Sequence, residues 1–202
     1  MNRSVLMMLA LVPLVFAGRM LTAEAPVPDP DHPHAVLAAP QYVGSDKCRM
    51  CHRKPEQGEQ FGAWEKSDHA KAYATLATAE AKEVGKKVGV SDPQNDPKCL
   101  KCHTTGHGEP ASAFDAKFDV AEGVGCEACH GPGSEYGKKK PMEAAMRGEI
   151  DEASIGLVVA PDEQQCKTCH NEESPTYKPF NYKEKVKEIA HPIPEARKAE
   201  YK

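Results

Sequence analysis

The first apolar run of the chain, Val5 to Ala17, is broken only by Pro13. Asn2 and Arg3 precede it, and the small residues Ala17, Gly18, Ala23 and Ala25 close it. A positive start, about 13 apolar residues and a small-residue boundary describe an export signal, and the run is short of the roughly 20 residues a bilayer span needs. Residues 26–40 (PVPDPDHPHAVLAAP) hold five prolines and predict an extended, polyproline-like arm. From Gln57 to Val88 the apolar positions recur at helical spacing. Phe61, Trp64, Tyr73, Leu76 and Ala77 share one flank, and Glu65, Lys66, Lys71 and Glu80 face water. Gly62 and Ser67-Asp68 divide this stretch into two helices, with Ser67 or Asp68 capping the second. Ser91 to Pro141 reads as loops, punctuated by Gly106, Gly108, Gly123, Gly125 and Gly131-Pro132-Gly133. Short helices are predicted over Met142 to Arg147 and over Lys183 to Ala190, the latter stopped by Pro192 and Pro194. Period-two alternation is almost absent, so the fold is mainly α with extensive loops and little or no sheet.

Composition changes this picture in one respect. Of 202 residues 40 % are hydrophobic but only 6 % aromatic, a poor supply for a large core, whereas eight Cys and nine His stand out. The net charge of −4 argues against a nucleic-acid partner. No later apolar stretch approaches a membrane span, so no integral membrane segment is expected after signal cleavage. The organisation predicted is a signal peptide over 1–25, a Pro-rich arm over 26–40 and one domain over 41–202.

All eight cysteines obey one pattern, four times over: Cys48-Arg-Met-Cys51-His52, Cys99-Leu-Lys-Cys102-His103, Cys126-Glu-Ala-Cys129-His130 and Cys166-Lys-Thr-Cys169-His170. C-x-x-C-H is the attachment signal of c-type haem. Two thioether bonds join the sulfurs to one porphyrin edge, and the next residue presents its imidazole to the iron from below that edge. Two intervening residues make one helical turn and bring all three groups to one side. A zinc ribbon has no reason to follow every second Cys with His. A thioredoxin-like pair occurs once, in a βαβ context missing here. A disulfide framework leaves the histidines unexplained. Four covalent haems, stacked as the core, account for both the cysteines and the missing aromatics.

His52, His103, His130 and His170 are then the proximal ligands. His32, His34, His69, His107 and His191 remain for the opposite faces. His69 lies on the amphipathic stretch after Trp64, and His191 ends the last helix. His107 is four residues from His103, a reach of roughly 14 Å at most, so it serves a haem other than that of His103. Met142 and Met146 are the alternative ligands.

The chain resembles the tetrahaem cytochromes of the c-554 family from about Tyr42 to Pro192. The resemblance is carried by Tyr42-Val43-Gly44, Trp64, Asp68-His69-Ala70-Lys71-Ala72, and the run from Gly123 to Gly133 around the third motif. It implies that His69 opposes His170 at the fourth haem and His191 opposes His130 at the third. It also implies an open coordination site on the second haem, as in the family's ammonia-oxidiser member. The family's distal histidine for the first haem falls here on Lys138-Lys139-Lys140, so His107 is the expected substitute. Extracellular filament cytochromes look similar, and in them a subunit contributes a histidine to its neighbour. The stiff arm bearing His32 and His34 suits that role, with the second haem as its target.

Six-coordinate iron has no open site for substrate and passes single electrons. The expectation is an exported electron carrier, periplasmic or extracellular, with redox proteins as partners. The alternatives are a subunit of a conductive filament, or a nitrogen-oxide reductase with one five-coordinate haem.

Overall fold

The computed structural model describes residues 39–191 and 193–198. The predicted signal peptide and most of the arm, including His32 and His34, lie outside the described residues. Among the described residues the architecture is short helices joined by loops, with a single isolated parallel bridge, Tyr42 to Phe114, and no strand. The mainly α, sheet-poor expectation holds.

The helices in chain order are α1 (Ser45–His52), α2 (Gln60–Lys66), α3 (Ala72–Thr75), α4 (Ala79–Lys87), α5 (Pro97–His103), α6 (Cys126–His130), α7 (Lys139–Met146), α8 (Glu163–Lys167), α9 (Tyr182–Ile189) and α10 (Glu195–Lys198). The stretch 57–88 breaks into more pieces than its periodicity predicts. Gly62 does not divide it. The break falls at Ser67, where the backbone turns extended and the Ser67 hydroxyl donates back to the Trp64 carbonyl at 2.6 Å. Neither Ser67 nor Asp68 caps the 3₁₀ turn at His69–Lys71 with its side chain. Thr78 instead accepts from the Ala81 N–H at 3.1 Å and starts α4. Ala77 is exposed, off the apolar flank. The region predicted as loops contains α5 and α6, both too short to show a period. Asp96 starts α5 by accepting from the Lys98 N–H at 2.9 Å, with Pro97 at its first position. Pro141 lies in the first turn of α7, where its missing N–H has no intrahelical partner to lose.

The buried apolar side chains among the described residues are Phe61, Leu76, Val90, Pro93, Tyr136 and Ala145, against the buried polar Ser45, Thr104, Thr105 and Glu127. So balanced a set cannot act as a hydrophobic core. What joins the segments is a polar knot around the third motif. Glu127, 2 % exposed, accepts from the N–H groups of Val43 (2.8 Å), Gly44 (2.8 Å) and Gly133 (2.6 Å). Glu122 accepts from the Ser45 N–H at 2.7 Å, and the Ser45 hydroxyl accepts from the Cys126 N–H at 3.1 Å. The Thr105 hydroxyl donates to the Gly123 carbonyl at 3.1 Å and accepts from the Gly125 N–H at 2.8 Å. One charged acceptor serving three donors is a strong form of satisfaction. It ties the approach to α1 to both α6 and the turn after it.

Gly123 is the tightest crossing. Its φ is +77°, and a Cβ there would stand 2.8 Å from the His69 carbonyl oxygen. The neighbouring Val124 N–H donates to that same oxygen at 3.0 Å, and the Trp64 indole donates to the Val124 carbonyl at 2.9 Å. Only glycine allows this approach.

Candidate haem centre

Each C-x-x-C-H motif occupies one helical turn. The first three end α1, α5 and α6 at their histidines, and the fourth runs off α8, with the His170 N–H donating to the Cys166 carbonyl at 3.0 Å. The spacing thus sets both sulfurs and the ring on one side of a turn, as thioether attachment requires.

Three of the four motif histidines present the right nitrogen. His103 and His130 direct Nδ1 at the backbone carbonyls of Ala72 (2.7 Å) and Val158 (2.6 Å). A carbonyl only accepts, so Nδ1 carries the proton and Nε2 keeps its lone pair for a metal. His52 directs Nδ1 at the side-chain oxygen of Gln60, 3.3 Å away. His170 stacks on Phe180, with ring centroids 4.6 Å apart at 14°. Burial also holds His130 and His170 below the usual imidazole range, which favours the neutral, ligating form.

Two histidines outside the motifs meet two inside them. The ring centroids of His69 and His170 are 6.0 Å apart, and those of His130 and His191 are 5.9 Å apart. Burial, then the His170 ring, lowers the pKa of His69. His107 is exposed on the loop after α5, beside a cavity of about 330 Å³ lined by Leu100, Phe114 and Phe118 among others. Met142 and Met146 are half-buried on α7. The sequence reading missed the carbonyls of Ala72 and Val158, which no residue type signals. It also missed Gln60, which nothing in the motif marks.

Cysteines of different motifs are neighbours. Cys48 interacts with Cys126, and Cys102 with Cys169. Burial, and then the nearby Cys169, pushes the Cys102 thiol up to about 11; burial, and then Cys166, pushes Cys129 up to about 11. A thioether is neutral and loses nothing on burial, so attachment to haem relieves this crowding of thiols. Among the described residues no three or more His, Cys, Asp or Glu side chains gather as a metal cage. The donor set fits haem c.

The sequence model of the family "Cytochrome c554 and c-prime" matches residues 47–131. The chain resembles the cytochrome c-554 family. It is 28 % identical over 173 residues to cytochrome c-554 of Nitrosomonas europaea, across 76 % of this chain and 61 % of that protein. It is 31 % identical over 82 residues to the C-type polyheme cytochrome OmcC of Geobacter sulfurreducens, across 38 % of this chain and 10 % of that one. The chain therefore spans about three fifths of the first relative and a tenth of the second. A solved structure of reduced cytochrome c554 from Nitrosomonas europaea is similar at 27 % identity and a TM-score of 0.49, covering 74 % of this chain and 78 % of that one. The four C-x-x-C-H motifs and these likenesses make haem c the cofactor of this chain. Among its described residues no helix is long and apolar enough to cross a membrane.

Proposed function

We propose that this cytochrome is an exported tetrahaem electron carrier, working in the periplasm or outside the cell and exchanging single electrons with redox proteins. Residues 1–25 direct export, 26–40 form an arm, and one haem sits on each motif. When bound, haem c supplies a one-electron iron couple. The chain's part is to attach it, ligate it and hold neighbouring haems edge to edge.

The observation that carries this reading is the pair of histidine contacts. Two metal–nitrogen bonds of about 2.0 Å, plus about 1 Å from each nitrogen to its ring centre, separate two imidazoles on one metal by about 6 Å. The ring separations of 6.0 and 5.9 Å match that distance. His69 with His170, and His191 with His130, are accordingly the axial pairs of the fourth and third haems. Both irons are closed to substrate, which favours electron transfer over bond chemistry. The first and second haems draw their sixth ligands from His107 and from the arm's His32 or His34. The adjacent cysteines of the first and third motifs, and of the second and fourth, support stacked haems as the core.

Intact mass spectrometry under denaturing conditions tests attachment, and the expected mass is the cleaved chain plus four haems. Electron paramagnetic resonance of the oxidised protein tests ligation. Low-spin third and fourth haems are expected, and high-spin signals from both would overturn the pairing. Deleting residues 26–34 is expected to turn one haem high-spin, and four unchanged low-spin haems would remove the arm from the scheme.

A further inference from the structure

We propose that Gln60 is a positioning residue for the first haem, its side-chain carbonyl holding the Nδ1 proton of His52 and so setting that haem's reduction potential. This rests on the proposed role of His52 as an axial ligand.

The orientation of the Gln60 amide is set by its two partners. Its Nε2 donates to the Gln57 carbonyl, which leaves Oε1 facing His52 Nδ1 at 3.3 Å. An amide oxygen only accepts, so Nδ1 is the donor and Nε2 keeps the lone pair that iron takes. The backbone leading to Gln60 is shaped for this contact. A 3₁₀ turn, Pro55–Gln57, ends at Gly58 with φ +104°, and Glu59 comes next at φ +50°. Glu59 is the single non-glycine residue with positive φ among the described residues. That conformation costs an L side chain and persists where surrounding bonds over-determine it. Here those bonds are Gly58 N–H to Pro55 at 3.0 Å and Glu59 N–H to Lys54 at 3.1 Å. The strained corner brings Gln60, the first residue of α2, back over the end of α1.

The contrast with the other motifs gives the contact its consequence. Backbone carbonyls hold His103 and His130 at 2.7 and 2.6 Å, whereas a side chain holds His52 at a longer distance. A stronger acceptor at Nδ1 makes Nε2 more basic and stabilises oxidised iron. Of these three contacts the one to His52 is the longest and the one that a point substitution can tune.

The experiment is a spectroelectrochemical titration of the holoprotein and its variants Gln60→Leu and Gln60→Glu. Leu removes the acceptor, and one haem's midpoint is expected to rise. Glu supplies a charged acceptor, and the same midpoint is expected to fall. Each shift is about tenfold in the reduction equilibrium, or about 59 mV for one electron. A merely structural role would move both variants in the same direction. Same-sign shifts, or unmoved midpoints in variants with wild-type haem content, overturn the role of Gln60. A wild-type mass lacking haem on residues 48–51 overturns the underlying ligand reading instead.

Discussion

The turn at 69–71 and the loop at 104–108 each carry a histidine outside the motifs, and packing treats them differently. The His69 backbone is pinned by the Val124 N–H and crowded by Gly123, and its ring lies 6.0 Å from that of His170. His107 is exposed between Gly106 at φ +67° and Gly108 at φ +93°. An anchored backbone has already lost the entropy that a ligand bond would otherwise have to overcome. Nearness in sequence is no advantage, because His107 lies close after His103 and His69 meets a motif at the other end of the chain.

The largest expected effect breaks this contrast at its anchor. Gly123→Val places a branched side chain at positive φ against the His69 carbonyl. A loss of about 3 kcal/mol in stability is expected, read as a fall in the urea midpoint, with one haem turning high-spin. Glu127→Ala leaves three N–H donors without their acceptor. It should cost about 2–3 kcal/mol, since each buried unpaired donor is expensive and partial relaxation offsets some of the loss. Urea unfolding at constant haem content checks it.

His69→Gly leaves the anchor and removes only the ring. One low-spin haem is expected to become high-spin and, when reduced, to bind carbon monoxide; a wild-type spectrum would break the pairing. The same measurement on His107→Ala sharpens the comparison. A second converted haem assigns His107 as a ligand, and an unchanged spectrum removes His107 from the scheme.

The smallest effect is on pH. Burial favours the neutral form of His69, His130 and His170, and so does ligation to iron, which only an unprotonated imidazole nitrogen can make. The unfolded chain therefore binds more protons below pH ~6.5. Stability is full above that value and falls as the pH drops and protons compete with iron for the released imidazoles. Unfolding midpoints measured from pH 7 to 5 should decrease, and the decrease should shrink when His69 is replaced.

Helical content was legible where periodicity ran long enough, as at α9, predicted over 183–190 and found at Tyr182–Ile189. It was not legible at α5 or α6, where a turn or two is held by caps and by the knot around Glu127. The pattern at 57–88 overstated helix because Ser67 and Thr78 redirect the backbone through local side-chain hydrogen bonds.

The sequence by itself determined the candidate attachment points and the proposed proximal histidines, because thioether spacing and a proximal ligand are written within five consecutive residues. The opposite side of each iron depends on a segment that reaches it only through folding. The tertiary structure decided that His69 faces His170 and His191 faces His130. It also decided that the Ala72 and Val158 carbonyls fix two imidazole tautomers. Backbone carbonyls are common to every residue type, so only their placement in space gives them a role.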